Sequence, residues 1–288
     1  MTALDPRLHA FRPDLADIRL KGRVEADRFV AGEPFAVIAP TAGLYRHPAP
    51  DALLETELLY GETAQVFETT SEGWSWVQSE IDDYVGWVGR DALSPELPEP
   101  THIVSAPRTV VFSGPDIKSK PLAILPLGAR VALSGEAENH NARYGLIRPA
   151  GAIVMQHLRP IDEPLPDFVA IAESLADTPY LWGGRSAFGI DCSGLIQLAL
   201  GLAGIATPRD TDMQEVELGE LLPLGENLPA LQRGDLVFWN RHAGIMRDAE
   251  TLLHANAHHM AVASEKVTQT IARLEKAGLP VTAIKRLA

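Results

Sequence analysis

The chain has 288 residues, 46% of them apolar and 22% charged, with a formal net charge of −13 at pH 7 and a single cysteine. Such a composition belongs to folded globular proteins, not to disordered, collagenous or membrane-embedded ones, and the length predicts two or three domains because one hydrophobic core seldom organises so many residues. The negative balance, with no Lys/Arg cluster to reverse it locally, repels phosphate backbones and anionic lipid heads, so no nucleic acid is expected as a partner.

Residues 1–30 are polar with scattered Leu and Phe and read as an N-terminal arm. The opening MTALDPRLHAFRPDLADIRL offers neither an apolar signal core nor a small-residue cleavage site, and no later stretch approaches the apolar run that crosses a bilayer. The expectation is therefore a cytoplasmic protein without membrane insertion. A lone cysteine cannot form an intramolecular disulfide, which agrees with a reducing compartment and leaves one thiol to explain.

From residue 31 to Pro160 the texture is short β-rich runs punctuated by Gly, Pro and Asp. The region repeats internally. APTAGLYRHPAPD, LLYGETAQVF, GWSWVQS and YVGWVGRDALSP in the first half answer SAPRTVVFSGPD, ILPLGARVAL, RYGLIRP and AIVMQHLRPID in the second. Each half enters a strand through glycine (Gly61, Gly128) and closes on a leucine turn (Leu93, Leu158), which predicts two small barrels in tandem, over 31–97 and 98–162. This order of elements resembles the bacterial SH3-like domain, and the YVGWV segment at Tyr84 to Val88 resembles that family's last strands.

A new domain, 163–288, is expected after the turn-rich DEPLPD. Asp167 can cap a helix whose apolar residues Phe168, Ile171, Ala172 and Leu175 fall at helical spacing, ended by Pro179. A second apolar helix through LIQLALGLAGI can stop at Gly204. Strand-like runs follow at DLVFW, AGIMR, TLLHA and MAVAS, so the domain reads as α+β.

Cys192 stands one residue after Asp191, at the start of the second helix, where the helix N-terminus favours thiolate over thiol. It follows a turn rich in glycine (Gly183, Gly184, Gly189), which brings backbone close to whatever binds. A thiol nucleophile needs a base and a group to hold that base's ring. His242 opens a strand after GDLVFW, and His254 lies in the next run. Adjacent antiparallel strands joined by the turn at Asp248 to Thr251 bring both imidazoles to one sheet face. His258 and His259 sit in a polar turn and read as rim residues. There is no HExxH and no second Cys, so neither a metal nor another cofactor is expected.

In order and spacing, PYLWGGRSAFGIDCSGLIQ, RGDLVFW, HAGIM and LLHA resemble the signature of the NlpC-type cell-wall peptidases, a papain-like family, over about residues 165 to 262. The resemblance implies a multidomain α+β protein with two SH3-like β-barrels before a papain-like α+β peptidase domain. It implies Cys192 as nucleophile, His242 as general base, His254 as the orienting residue (a position that varies as His, Asn or Gln among relatives) and Tyr180 as a helper at the oxyanion. Peptidases of this family with paired SH3-like domains and no export signal include γ-D-glutamyl-L-diamino acid endopeptidases acting on peptidoglycan-derived peptides, L-Ala-γ-D-Glu-diamino acid, in wall recycling. Their preference for a free N-terminal L-Ala implies Asp191, Glu62 and Tyr84 as partners of the ammonium, with Ser193 beside them as a substrate contact. A second reading is an exported hydrolase whose SH3-like domains bind intact wall.

Overall fold

Alternating apolar and polar residues, broken every few positions by Gly, Pro or Asp, make strands of most of the first half of the chain. The computed structural model describes residues 4–96, 98–140, 142–225 and 228–287. Contacts divide the chain into two compact units, Met1–Glu163 and Pro164–Ala288.

The first unit holds two seven-stranded antiparallel sheets. The first comprises β1 (Glu33–Val37), β2 (Thr41–Tyr45), β3 (Leu54–Leu59), β4 (Thr63–Thr69), β5 (Trp74–Ser79), β6 (Val85–Gly89) and β7 (Leu93–Ser94). The second comprises β8 (His102–Val104), β9 (Arg108–Phe112), β10 (Pro121–Pro126), β11 (Arg130–Asn139), β12 (Ala142–Arg148), β13 (Ala152–Val154) and β14 (Leu158–Pro160). Their strand orders are β3-β2-β6-β5-β4-β1-β7 and β10-β9-β13-β12-β11-β8-β14, the same path taken twice.

The repetition extends to single hydrogen bonds. Gly61 donates to the carbonyl of Val37 and Val37 to that of Glu62; Gly128 donates to Val104 and Val104 to Ala129. Both glycines adopt positive φ, 78° and 89°, a conformation with little cost only where no Cβ is present. Val37 pairs with Leu93 and Val104 with Leu158, so the leucine turns close both sheets alike. Each sheet encloses its own apolar cluster, around Val37, Leu44, Leu58 and Val77 in the first and Val104, Leu125, Val131 and Ile153 in the second.

The N-terminal arm covers the outer face of the first sheet. Ala10 and Leu15 pack with Phe67, Trp76 and Trp87. The Arg12 guanidinium stacks over the rings of Trp76 and Trp87, 4.3 and 4.9 Å from their centroids, and pairs with Glu68 at 2.6 Å.

In the second unit, α1 (Phe168–Glu173) is capped by Asp167, whose carboxylate accepts from Val169 and Ala170. It stops well before Pro179, because Ser174 Oγ bonds back to the carbonyl of Ile171 and Asp177 turns to positive φ. Helix α2 (Cys192–Leu202) is apolar on every side and accordingly buried along nearly its whole length. Gly204, at φ 82°, ends it as expected: Ile205 donates to Leu200 and Gly204 to Gly201, the paired bonds of a left-handed C-cap.

The long connection that follows contains α3 (Thr211–Glu217) and a short strand, β15 (Glu220–Leu221), neither of which was expected. The four anticipated runs form β16 (Leu236–Trp239), β17 (His242–Met246), β18 (Thr251–Asn256) and β19 (Ala261–Lys266). Helix α4 (Val267–Lys276) and strand β20 (Val281–Arg286) complete the unit. The six strands form one antiparallel sheet in the order β15-β20-β16-β17-β18-β19, and α2 packs on β17 and β18. Among the described residues no helix is long and apolar enough to cross a membrane.

Candidate active site

Asp191 is the N-cap of α2, with its Oδ1 accepting from the backbone of Gly194 at 2.7 Å. Close approach makes that glycine necessary: a Cβ there would lie 2.4 Å from the carbonyl oxygen of Gly184. The same carboxylate also accepts from Gly183 N–H at 2.8 Å, Ser193 Oγ at 3.3 Å and the guanidinium of Arg209 through both oxygens, at 3.0 and 2.7 Å. Arg209 is 1% exposed, and a second bond of 2.7 Å runs from it to Ser193 Oγ. Gln214, on α3, donates to the carbonyl of Ser193 at 3.0 Å.

Asp191 and Ser193, expected as substrate contacts, thus carry a structural role as well. Five donors crowd the Asp191 carboxylate and Arg209 balances its charge, so both residues hold the first turn of α2.

That turn presents Cys192 to the sheet. The backbone N–H of Ala243 lies close enough to its sulfur to favour the thiolate, which puts the thiol at the mouth of β17, the strand that His242 opens. Across β17 and β18, Ile245 faces Leu253, so Gly244 faces His254, and His242 is diagonal to His254 on the same face. A Cβ on Gly244 would lie 3.1 Å from that of His254, so the glycine leaves room for the two rings to meet. His242 Nε2 and His254 Nδ1 are 2.8 Å apart. The expected convergence of both imidazoles on one sheet face is what the strands produce.

The row extends one strand further. In β19, Glu265 is diagonal to His254, and its Oε1 lies 2.8 Å from His254 Nε2. Arg273 of α4 grips Glu265 with two bonds of 2.6 Å. Sequence reading missed Glu265, Arg273 and Arg209. A glutamate at alternate strand spacing carries no sign of its partner, and Arg209 lies in an ordinary polar connection.

His254, His259 and Glu265 bring ligand-type atoms within 4.8 Å of one another. Both nitrogens of His254 are already bonded, to His242 and Glu265, and Arg273 claims the carboxylate, so the cluster is a hydrogen-bond line. His258 and His259 are exposed in the β18–β19 turn, as expected.

Complete burial, then the neighbouring Asp191 charge, push the Cys192 thiol up to about 12, against the opposing pull of the Ala243 and Ser193 N–H groups and Arg209. The expectation of a thiolate made by the helix terminus alone is corrected: desolvation outweighs the dipole. Burial likewise lowers His242 to about 3, assisted by His254 and Arg273 and opposed by Glu265. The resting pair is thus thiol and neutral imidazole, and the thiolate forms when His242 takes the proton. Tyr180 stays protonated and able to donate, because burial and the nearby Cys192 and Asp191 raise its phenol.

Burial lowers His254 to about 4, while Glu265 is held at about 2 by Arg273 and His254 against its own desolvation. All three depressed groups, His242 included, bind protons more readily unfolded than folded. Their stabilisation is full above the unfolded imidazole value of about 6.5 and is lost as pH falls from there toward 2. The thermal midpoint, followed by circular dichroism, is expected to decline steadily from pH 7 to pH 4. A midpoint unchanged between pH 7 and pH 5 would mean that neither imidazole is held neutral.

Glu62 and Tyr84 belong to the first unit. Glu62 is 3% exposed, an unusual setting for a carboxylate, and its Oε2 accepts from Leu59 N–H at 2.8 Å. Tyr84 packs with Val37 and Ala64, both beside the turn that carries Glu62. In the second sheet the corresponding turn positions hold Ala129, which accepts from Val104, and Gly151, which accepts from Ile147 as Tyr84 does from Ser79. The polar pair is therefore peculiar to the first module.

Residues 177–276 match the NlpC/P60 family, and residues 44–93 match the bacterial dipeptidyl-peptidase Sh3 domain. The chain is 29% identical over 240 residues to dipeptidyl-peptidase 6 of Lysinibacillus sphaericus, covering 76% of this chain and 86% of that one. It is 24% identical over 243 residues to the gamma-D-glutamyl-L-lysine dipeptidyl-peptidase of Bacillus subtilis (strain 168), covering 77% and 78%. Its fold is shared by an NlpC/P60 family protein from Bacillus cereus ATCC 10987, with a TM-score of 0.70 and 20% identity over 88% of this chain and 99% of that one. The protein is a cysteine peptidase. It combines an SH3 domain with an NlpC/P60 domain in a mostly β architecture with a few helices.

Proposed function

We propose that the protein hydrolyses the bond between γ-D-Glu and a diamino acid, meso-diaminopimelate or L-Lys, in peptidoglycan-derived peptides that carry a free N-terminal L-Ala. The observation that carries this reading is the bonded pair His242–His254 beside the chain's only thiol. The names of the Bacillus relatives support the γ-D-glutamyl substrate class.

In this mechanism His242 Nδ1 takes the proton of Cys192, and the sulfur attacks the γ-carbonyl carbon. The Tyr180 hydroxyl and the Cys192 N–H meet the oxyanion. The His242 imidazolium then protonates the leaving amine, and a water, deprotonated by His242, resolves the thioester into L-Ala-D-Glu and free enzyme. Glu62 and Tyr84 bind the substrate ammonium; their absence from the second module argues that they serve more than the fold. We also take the second sheet as a second SH3-like domain, the C-terminal domain as papain-like α+β with boundaries at 31–97, 98–162 and 163–288, and the setting as cytoplasmic wall recycling.

Defined tripeptides test it. L-Ala-γ-D-Glu-meso-diaminopimelate or its lysine counterpart is expected to be cleaved at least about 10-fold faster than the N-acetylated form, because each charge-assisted hydrogen bond to the ammonium is worth about 1.5–3 kcal/mol. The activity is expected in the cytosolic fraction of cells. Equal cleavage of both peptides would remove the ammonium site, and activity confined to the wall fraction would favour the exported hydrolase.

A further inference from the structure

Resting on that reading of Cys192 and His242, we infer that Glu265, clamped by Arg273, is a positioning residue that selects the tautomer of both histidines and so makes His242 a base toward the thiol. The row Glu265–His254–His242 spans three adjacent strands with two contacts of 2.8 Å, and its protons can be assigned by elimination.

An ionised carboxylate only accepts hydrogen bonds. Glu265 is kept ionised by two guanidinium bonds from Arg273, so the bond at its Oε1 is donated by His254 Nε2–H. A neutral imidazole carries one N–H, which leaves His254 Nδ1 as an acceptor. The proton in the next bond therefore belongs to His242 Nε2, and His242 Nδ1 is left with its lone pair for the thiol. When the Sγ–H bond breaks, the proton forms a new bond at Nδ1 and the electron pair stays on sulfur for attack. The imidazolium so created has its charge stabilised through His254 by Glu265.

Without the carboxylate the order can reverse. His254 can carry its proton on Nδ1 and donate to His242 Nε2, which forces the His242 proton onto Nδ1, where it points at the thiol as a donor. That tautomer cannot take the Cys192 proton. The groups facing the two rings are His259, Arg273 and Glu265 around His254, and Trp239, His254, Arg273 and Glu265 around His242, whose chain neighbour Ala243 lies by the Cys192 thiol. Among these only Glu265 carries a negative charge that imposes the productive order.

The experiment compares Glu265→Ala, Glu265→Gln and Cys192→Ala in the full chain, on the free-amine tripeptide. Glu265→Ala is expected to lower kcat about 10- to 100-fold, the range of an outer residue that orients a catalytic histidine, with KM changed less than about 2-fold. Glu265→Gln keeps a carbonyl acceptor and is expected to recover most of that loss. Nitrogen-15 NMR of the imidazoles in the free enzyme is expected to show both rings protonated at Nε2 in the parent and a new Nδ1–H population in Glu265→Ala. Wild-type kcat in Glu265→Ala overturns the inference. So does a lower kcat with both rings still protonated at Nε2, because that loss is structural. If Cys192→Ala stays fully active, it is the underlying reading of the site that fails, and the two failures are told apart.

Discussion

Replacing Cys192 with alanine is expected to lower kcat/KM for L-Ala-γ-D-Glu-meso-diaminopimelate by more than about 10⁴-fold, the largest change of any single substitution. No second thiol exists to substitute for it, and the hydroxyl of Ser193 is held by Asp191 and Arg209. Alanine removes one buried sulfur from the first turn of α2 and leaves the N-cap bond from Gly194 to Asp191 in place. The stability cost is therefore expected to stay below about 2 kcal/mol, and the loss of activity cannot be assigned to unfolding. Release of the diamino acid, followed by mass spectrometry, checks this; turnover within 10-fold of the parent would rule out Cys192 as the nucleophile.

Arg209→Ala is expected to cause the largest loss of stability. The guanidinium lies in the interior, and its removal leaves the Asp191 carboxylate buried without a counter-charge, a change that costs about 3–5 kcal/mol. For a chain of this size that corresponds to a fall of about 6–20 °C in the thermal midpoint. Arg209→Lys keeps the charge and loses the two-pronged grip, so it is expected to recover only part of the difference. Activity falls with stability, because the same bonds hold the turn that aims Cys192. A midpoint within about 2 °C of the parent in Arg209→Ala would show that water or another group takes over the pairing.

The two β-modules differ at the positions on which the substrate reading depends. Their strand orders, glycine turns and closing leucines coincide, yet the two turns that carry Glu62 and Tyr84 in the first carry Ala129 and Gly151 in the second. Burying a carboxylate in a small β-module is unfavourable for the fold, and the second module shows that the same architecture forms with alanine there.

Much of this protein could be read from its residues in order. The repeat, the cap at Asp167, the stop at Gly204, the buried helix beginning at Cys192 and the four strands of which two carry His242 and His254 were all visible. The repeat apart, each depends on neighbours only a few positions away: strand alternation, helical spacing, or a carboxylate next to the N–H groups it caps. Helix α4 was legible in principle, with Val267, Ile271 and Leu274 on one face, but its polar surroundings masked it. Three decisive features belonged to the folded chain. Arg209 reaches Asp191 from the connection that follows α2, Glu265 reaches His254 across a strand pair, and burial keeps the Cys192 thiol protonated at rest. Charge state and tautomer depend on which groups folding brings within about 3 Å and how much water it removes, and neither quantity is carried by residues close together along the chain.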